Sequence, residues 1–306
     1  MSHEGLAPAA RERDFEDELP DRNRLAGLAS SLRKQKFAML GLAILMVVML
    51  MALTAPVISP MSPTAHSLSR VLKPPMWNGE GHVFILGTDH LGRDLLSRII
   101  YGSRVSLIVG FFSVVFSGAI GLFVGLVAGY FGGKVDYLLM RLVDFVLSFP
   151  FILLALSTIA ILGPSLQLII VMLSLRLWTV YARVVRGAVL SLREMEFVVA
   201  AVGIGSSHMR VLFRHILPNV LAPVVIIGSL YLGRMIIIEA GLSFLGLGVP
   251  PPTPTWGGLM AEGRSYLYVS WWIVAFPCLA ITLTALGANL VGDWLRNVLD
   301  PRLRVR

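Results

Sequence analysis

The residues able to do chemistry are few, and the spacings that enzymes need are missing. A phosphate-cradling loop requires Gly-x-x-x-x-Gly-Lys-[Ser/Thr], so that glycine N–H groups and the lysine reach the phosphates. The nearest segment, around Gly133-Lys134, has Ala128 where the first glycine should stand and Val135 after the lysine. A zinc hydrolase would show His-Glu-x-x-His on one helix face, and a serine hydrolase Gly-x-Ser-x-Gly. The six histidines are scattered, and Ser243, the nearest serine, lacks the final glycine. Cys278 is the single cysteine, which excludes an internal disulfide or a cysteine metal site. No catalytic residue, no metal site and no cofactor bound by this chain is expected.

The elements that hold the remaining polar residues are apolar and long. The chain has 306 residues, 56% hydrophobic and 14% charged, with a mean hydropathy of +0.78. A water-soluble core could not absorb so much apolar surface, so a membrane protein is expected. The net charge of +8 then reads as basic loops at one membrane face, not as a nucleic-acid surface. The first 36 residues carry seven basic and seven acidic side chains and no apolar run. They predict a cytosolic tail without a secretory signal.

About 20 apolar residues cross a bilayer, and lipid forces them to be helical. Six such helices are predicted: 37–58, 105–129, 138–162, 166–187, 219–244 and 271–292. Gly163-Pro164 divides the 31 uncharged residues between Asp144 and Arg176. With the N-terminus inside, the inner segments hold 18 Lys and Arg and the outer ones 6, which predicts an all-α membrane protein with both termini cytosolic. The expected layout is a tail 1–36, a first helix 37–58, a periplasmic loop 59–104 with an interfacial helix, a core 105–292 of five helices, and a cytosolic tail 293–306.

Four charges fall in or beside the spans. Near mid-membrane an unpaired charge costs roughly 2.5–3.5 kcal/mol. Arg176 is expected at a depth close to that of Asp144, so a structural pair is the plainer reading and a role in transport the alternative. Arg234 and Glu239 are five residues apart, about 140° around a helix. They should not pair, and can face a polar cavity. The spacing of Leu91, Leu95, Leu96, Ile99 and Ile100 predicts an outer amphipathic helix capped by Asp89. Ser113, Ser117, Gly121, Gly125 and Gly129 recur every fourth residue. This ladder predicts close helix packing, within the chain or against a second subunit.

The inner loop 188–218 is the most informative segment. A helix over 197–202 can end at Gly203 or Gly205, since glycine readily takes the left-handed cap conformation. Ser206 or Ser207 can cap a second helix, His208–His215, with Met209, Leu212, Phe213 and Ile216 as an apolar face. Pro218 suits the first turn of the next span. A cytosolic loop that presents such a face calls for a partner to cover it.

Leu86-Gly-Thr-Asp-His-Leu-Gly-Arg-Asp-Leu-Leu-Ser-Arg98, Arg214-His-Ile-Leu-Pro-Asn219, Leu242-Ser-Phe-Leu-Gly-Leu-Gly248 with Pro-Pro-Thr-Pro-Thr-Trp-Gly257, and Gly292-Asp-Trp-Leu-Arg-Asn-Val-Leu-Asp-Pro-Arg302 closely resemble the dipeptide/oligopeptide/nickel permeases of binding-protein-dependent ABC importers. The resemblance, to the C-type member of the permease pair, runs from about residue 37 to 302. It implies the type I ABC importer permease fold in a bacterial inner membrane. The family's Glu-Ala-Ala-x-x-x-Gly signature, followed by Leu-Pro, is met by Ala200, Ala201, Gly205, Leu217 and Pro218, whereas Val199 stands in place of the glutamate. By resemblance, Gly205–His215 is the coupling helix, with Ser207, His208, Met209, Leu212 and Phe213 seated in an ATPase groove. A homologous second permease, two ATP-binding cassette subunits that bind ATP and Mg, and an extracytoplasmic solute-binding protein are implied partners. Peptides are the implied cargo, with nickel chelates, glutathione, opines or oligosaccharides as alternatives. A secondary carrier would need ionisable midplane residues, which are few here, and preferably an inverted repeat, which is not detected; a channel or a membrane anchor for a soluble complex is a further alternative.

Overall fold

The structure, a computed structural model, describes residue 32 and residues 35–299. Most of the expected N-terminal tail and residues 300–306 lie outside the described residues. Helix α1 (Lys36–Leu53) stops at Thr54, whose hydroxyl donates to the Leu50 carbonyl at 2.6 Å. Pro56 then opens the short α2 (Ala55–Ile58). An antiparallel hairpin, β1 (Trp77–Gly79) and β2 (His82–Phe84), follows in register Trp77 to Phe84. Five further long segments complete the bundle: α3 (Leu95–Phe131), the bent pair α4 (Gly133–Ser148) and α5 (Phe151–Leu162), α6 (Leu166–Leu192), α9 (Leu217–Phe244) and α11 (Trp272–Leu299). Between α6 and α9 lie α7 (Glu196–Gly203) and the short α8 (His208–Arg210); α10 (Trp256–Gly263) precedes α11.

Among the described residues, five helices are long and apolar enough to cross a membrane, or six if the bent pair counts as one span. The expected straight helix over 138–162 is therefore corrected. Its two halves meet at 79°, because Pro150 supplies no N–H and drives Phe149 into an extended conformation (φ −88°, ψ 130°). The separate interfacial helix is corrected too. Asp94, not Asp89, caps the helix, accepting from the Ser97 N–H at 2.8 Å, and α3 runs unbroken into the second span. The expected start of the C-terminal tail at 293 is replaced by helix up to Leu299.

The small-residue ladder packs inside the chain. A Cβ on Gly125 would stand 2.6 Å from the Val185 Cβ, and one on Gly129 would stand 2.7 Å from the Val189 Cβ. At Gly121 it would meet the Trp178 carbonyl at 2.5 Å. Each contact joins α3 to α6, so backbone approach rather than side-chain bulk sets that interface. Gly41 does the same between α1 and α11, where a Cβ would lie 2.7 Å from the Leu290 Cβ. Two acid–arginine bridges tie α4 to α6: Asp136 with Arg186, and Asp144 with Arg183 at 2.8 Å.

Candidate functional site

The inner loop folds as a helix, a glycine turn and a second helical segment. Helix α7 closes with the Gly205 N–H donating to the Val202 carbonyl (2.9 Å) and the Ser206 N–H to the Ala201 carbonyl (3.1 Å). This double bond pattern needs a left-handed residue, and Gly205 supplies it at φ +81°. The Ser207 hydroxyl accepts from the Arg210 N–H at 3.4 Å, which starts α8. His208 reaches back to α3, its Nδ1 lying 2.9 Å from the Tyr130 hydroxyl. Arg193 donates to the Gly129 carbonyl at 3.2 Å, so both ends of the loop are pinned to the last turn of α3.

From Val211 to Ile216 the backbone is a π-helix that continues directly into α9 at Leu217 and Pro218. The predicted single apolar face is corrected by this turn. Leu212 and Ile216 are buried with Val198, Ala201 and Val211, whereas Met209 and Phe213 are exposed by 63% and 59%. The wider i→i+5 turn rotates less per residue, so positions that share an α-helical face are split between the core and the surface. Ala200 is exposed and Ala201 buried. Ile204, at the tip, is 84% exposed, and Val199 and Val202 line an open groove with Tyr130, Phe131, Glu194 and His208. An element fastened to α3 through Arg193 and His208, with exposed aliphatic and aromatic side chains, can seat in a complementary partner surface and transmit its movement.

Inside the bundle the predicted Arg176–Asp144 pair does not form. Asp144 is held by Arg183, and the Arg176 guanidinium instead lies 5.3 Å from the centre of the Phe151 ring. The antiparallel register of the bent pair against α6 brings 144 opposite 183 and 151 opposite 176. Depth counted along one straight helix missed that register. Arg234 lies 5.4 Å from the Tyr231 ring centre. As expected from their angular separation, Arg234 and Glu239 do not pair. Glu239 is fully buried and accepts from the Ser243 hydroxyl at 2.7 Å, so it does not share a cavity with Arg234. Arg176 and Arg234 do line one cavity together.

Residues 121–305 match the family described as binding-protein-dependent transport system inner membrane component. Residues 27–75 match the N-terminal TM domain of oligopeptide transport permease C. A putative peptide transport system permease of Brucella suis is 44% identical over 277 residues, covering 90% of this chain and 92% of that protein. The dipeptide transport system permease DppC of Alkalihalophilus pseudofirmus is 42% identical, covering 89% and 88%. The chain belongs to this permease family. In fold, the permease superposes on the MetNI methionine ABC transporter, solved in inward-facing conformations, with a TM-score of 0.54 at 22% identity over 67% of this chain and 97% of that one. It is a multi-pass protein of the bacterial inner membrane with the type I importer fold, and it works with ATPase and solute-binding partners.

The permease also contains a polar centre, on the segment for which the sequence predicted an outer amphipathic helix. Arg93 and Arg98 are buried, and both bind Oδ2 of Asp89 at 2.6 Å and Oε2 of Glu262 at 2.6 Å. The other Asp89 oxygen accepts from the Leu91 and Arg93 N–H groups at 2.8 and 3.0 Å. Burial alone would raise the Asp89 carboxyl, but Arg98, Arg93 and these N–H donors hold it below the ordinary carboxylate range. Glu262 behaves alike: burial opposes ionisation, and the bond from Arg98 and the charges of Arg98 and Arg93 prevail. Asp89, His90 and Glu262 are close enough to share a cation, yet two guanidiniums already occupy the carboxylate oxygens. The cluster therefore clamps the 59–104 loop to α10. The i,i+4 spacing of Asp89 and Arg93 was a legible signal for half of it; nothing in the spacing pointed to Glu262.

Proposed function

We propose that this permease forms one half of the translocation pathway of an ATP-driven importer for di- and oligopeptides. The loop 188–218 is its coupling element. The observation that carries the coupling role is the rigid, glycine-hinged loop whose Ile204, Met209 and Phe213 side chains stand out unpartnered. The peptide cargo rests on the relatives named for peptide and dipeptide transport. The other half is a homologous second permease. ATP and Mg bind to two cassette subunits rather than to this chain, which lacks the phosphate loop and is not itself an enzyme. Both termini and loop 188–218 face the cytosol, supported by the 18-to-6 bias in Lys and Arg.

In the proposed cycle, a binding protein delivers peptide from outside. ATP draws the cassettes together, and the segment 204–216 moves with them as a rigid body, opening the pathway outward; hydrolysis resets it inward. The residues that seat in the cassette include Ala200, Gly205, Ser207, His208, Met209 and Phe213. Leu212 and Leu217 support them from behind, with Ala201 and Pro218. Docking rests on apolar contact, because Val199 replaces the family's acidic residue.

Proteoliposomes that contain the assembled complex test this reading. Dipeptide uptake should require ATP, both cassettes and the binding protein. Uptake that persists without cassettes and follows an ion gradient would replace the importer with a secondary carrier. Gly205→Asp should preserve assembly but separate ATP hydrolysis from uptake; normal uptake by that variant refutes the coupling role.

A further inference from the structure

Two guanidiniums share one cavity within the membrane-spanning bundle. Arg176 on α6 and Arg234 on α9 line a space of about 70 Å³ with Leu177, Tyr231 and Met235. Each lies ten residues from the end of its helix on the same membrane side, 166 to 176 and 244 back to 234. At 1.5 Å per residue this is about 15 Å of depth, close to the middle of a hydrocarbon core about 30 Å thick. Among the described residues neither has a carboxylate within 4.0 Å, although Asp136, Asp144, Asp89 and Glu262 each have arginine partners. Phe151 and Tyr231 rings flank the two guanidiniums, which orients the cations without neutralising them.

Both arginines are exposed in the single chain, so the cavity opens at its surface. Intramembrane arginines that line such an opening and lack a counter-charge mark a site for an anionic ligand. We propose that Arg176 and Arg234 together receive the C-terminal carboxylate of the transported peptide. This inference rests on the peptide reading above. Guanidinium groups present paired N–H donors that match a carboxylate's two oxygens, so two of them can select that end of the cargo over any neutral group. One water needs about 10–15 Å³ of such space. The cavity has room for about five to seven waters, enough for a carboxylate but not for a whole dipeptide, so the rest of the cargo would extend through its opening.

The test uses the whole importer in nanodiscs without binding protein, so that recognition by that protein cannot mask the result. Saturation-transfer NMR compares dialanine, N-acetyl-dialanine and dialanine amide. The two carboxylates should show several-fold more transfer than the amide. Arg176→Gln and Arg234→Gln should each reduce the carboxylate signal to the level of the amide, while Arg176→Lys and Arg234→Lys keep part of it. Equal transfer to acid and amide in the wild type, including none to either, overturns the proposal even if the Gln variants fail to assemble. So does an undiminished carboxylate signal in assembled Gln variants. Proteoliposome uptake separates the two levels of inference. If wild-type complex imports no dipeptide, the peptide reading fails. If it imports dipeptide while acid and amide transfer equally, only the carboxylate site fails.

Discussion

At the scale of single residues, the permease keeps a carboxylate out of water by surrounding it with donors. Asp89 is wholly buried and accepts from two guanidiniums and two backbone N–H groups. Removing one member of such a group strands its partners, at about 3–5 kcal/mol. Asp89→Ala should therefore lower the thermal midpoint of the purified protein by several degrees. Glu194, whose exposed carboxylate lies 3.9 Å from Arg193, is the control, since an exposed pair contributes about 1 kcal/mol or less. Glu194→Gln should hardly move the midpoint, and equal losses from both variants would remove the special role given to the buried cluster. The same residues set a pH dependence. Their folded-state values are depressed below ordinary carboxylate values, about 4. The stability they contribute is then complete above that pH and is lost as pH falls through the lower folded values. The thermal midpoint should stay level from pH 7 to about 5 and drop only below about 4, and Asp89→Ala should flatten that drop.

At the scale of elements, close approach and local helix type decide what each segment presents. Gly125→Leu must force α3 away from α6, because even a Cβ would stand 2.6 Å from the Val185 Cβ. We expect a loss of about 1–3 kcal/mol or more by overpacking, read as a lower thermal midpoint. Gly187→Ala, in α6 with nothing within 4 Å, should be neutral or stabilising by up to about 1 kcal/mol. The π-turn gives a second prediction. Deleting Arg214, an exposed residue inside Val211–Ile216, should return the turn to α-helix and rotate everything before it by about 100°. Met209 would leave its exposed position, and ATP hydrolysis should separate from uptake. Arg214→Ala, which keeps the residue count, should remain coupled. This turn also marks the limit of what the sequence revealed. Apolar length exposed the spans, the glycine ladder exposed close packing, and Gly205 and Ser207 exposed the loop's joints. Hydrophobic periodicity assumed a regular α-helix through 208–216 and so placed Leu212 on the wrong side. The bend at Phe149-Pro150 was hidden within an unbroken apolar stretch, and with it the true partner of Asp144. Glu262 was invisible because its partners lie more than 160 residues away in the chain.

At the scale of the whole molecule, α3 is the axis that relates the two polar ends of the permease. Its 37 residues extend about 55 Å, well beyond a hydrocarbon core of about 30 Å. The clamp of Arg98 with Asp89 and Glu262 sits at its first turns, and Tyr130, beside His208 of the coupling loop, sits at its last. The clamp and the coupling loop must therefore project from opposite faces, and orientation decides which of them meets the ATPases. The bias of basic residues supports the proposed cytosolic placement of loop 188–218. A single native cysteine makes the assignment directly measurable. In a Cys278→Ser background, Asn78→Cys on the exposed hairpin strand β1 should react in intact spheroplasts with a membrane-impermeant maleimide. Ile204→Cys, 84% exposed at the tip of loop 188–218, should react only after the membrane is permeabilised. The reverse pattern would invert the protein and place the apolar tip where no ATPase can reach it. If the cassette subunits cover this surface as proposed, labelling of Ile204→Cys should also fall when they are co-expressed.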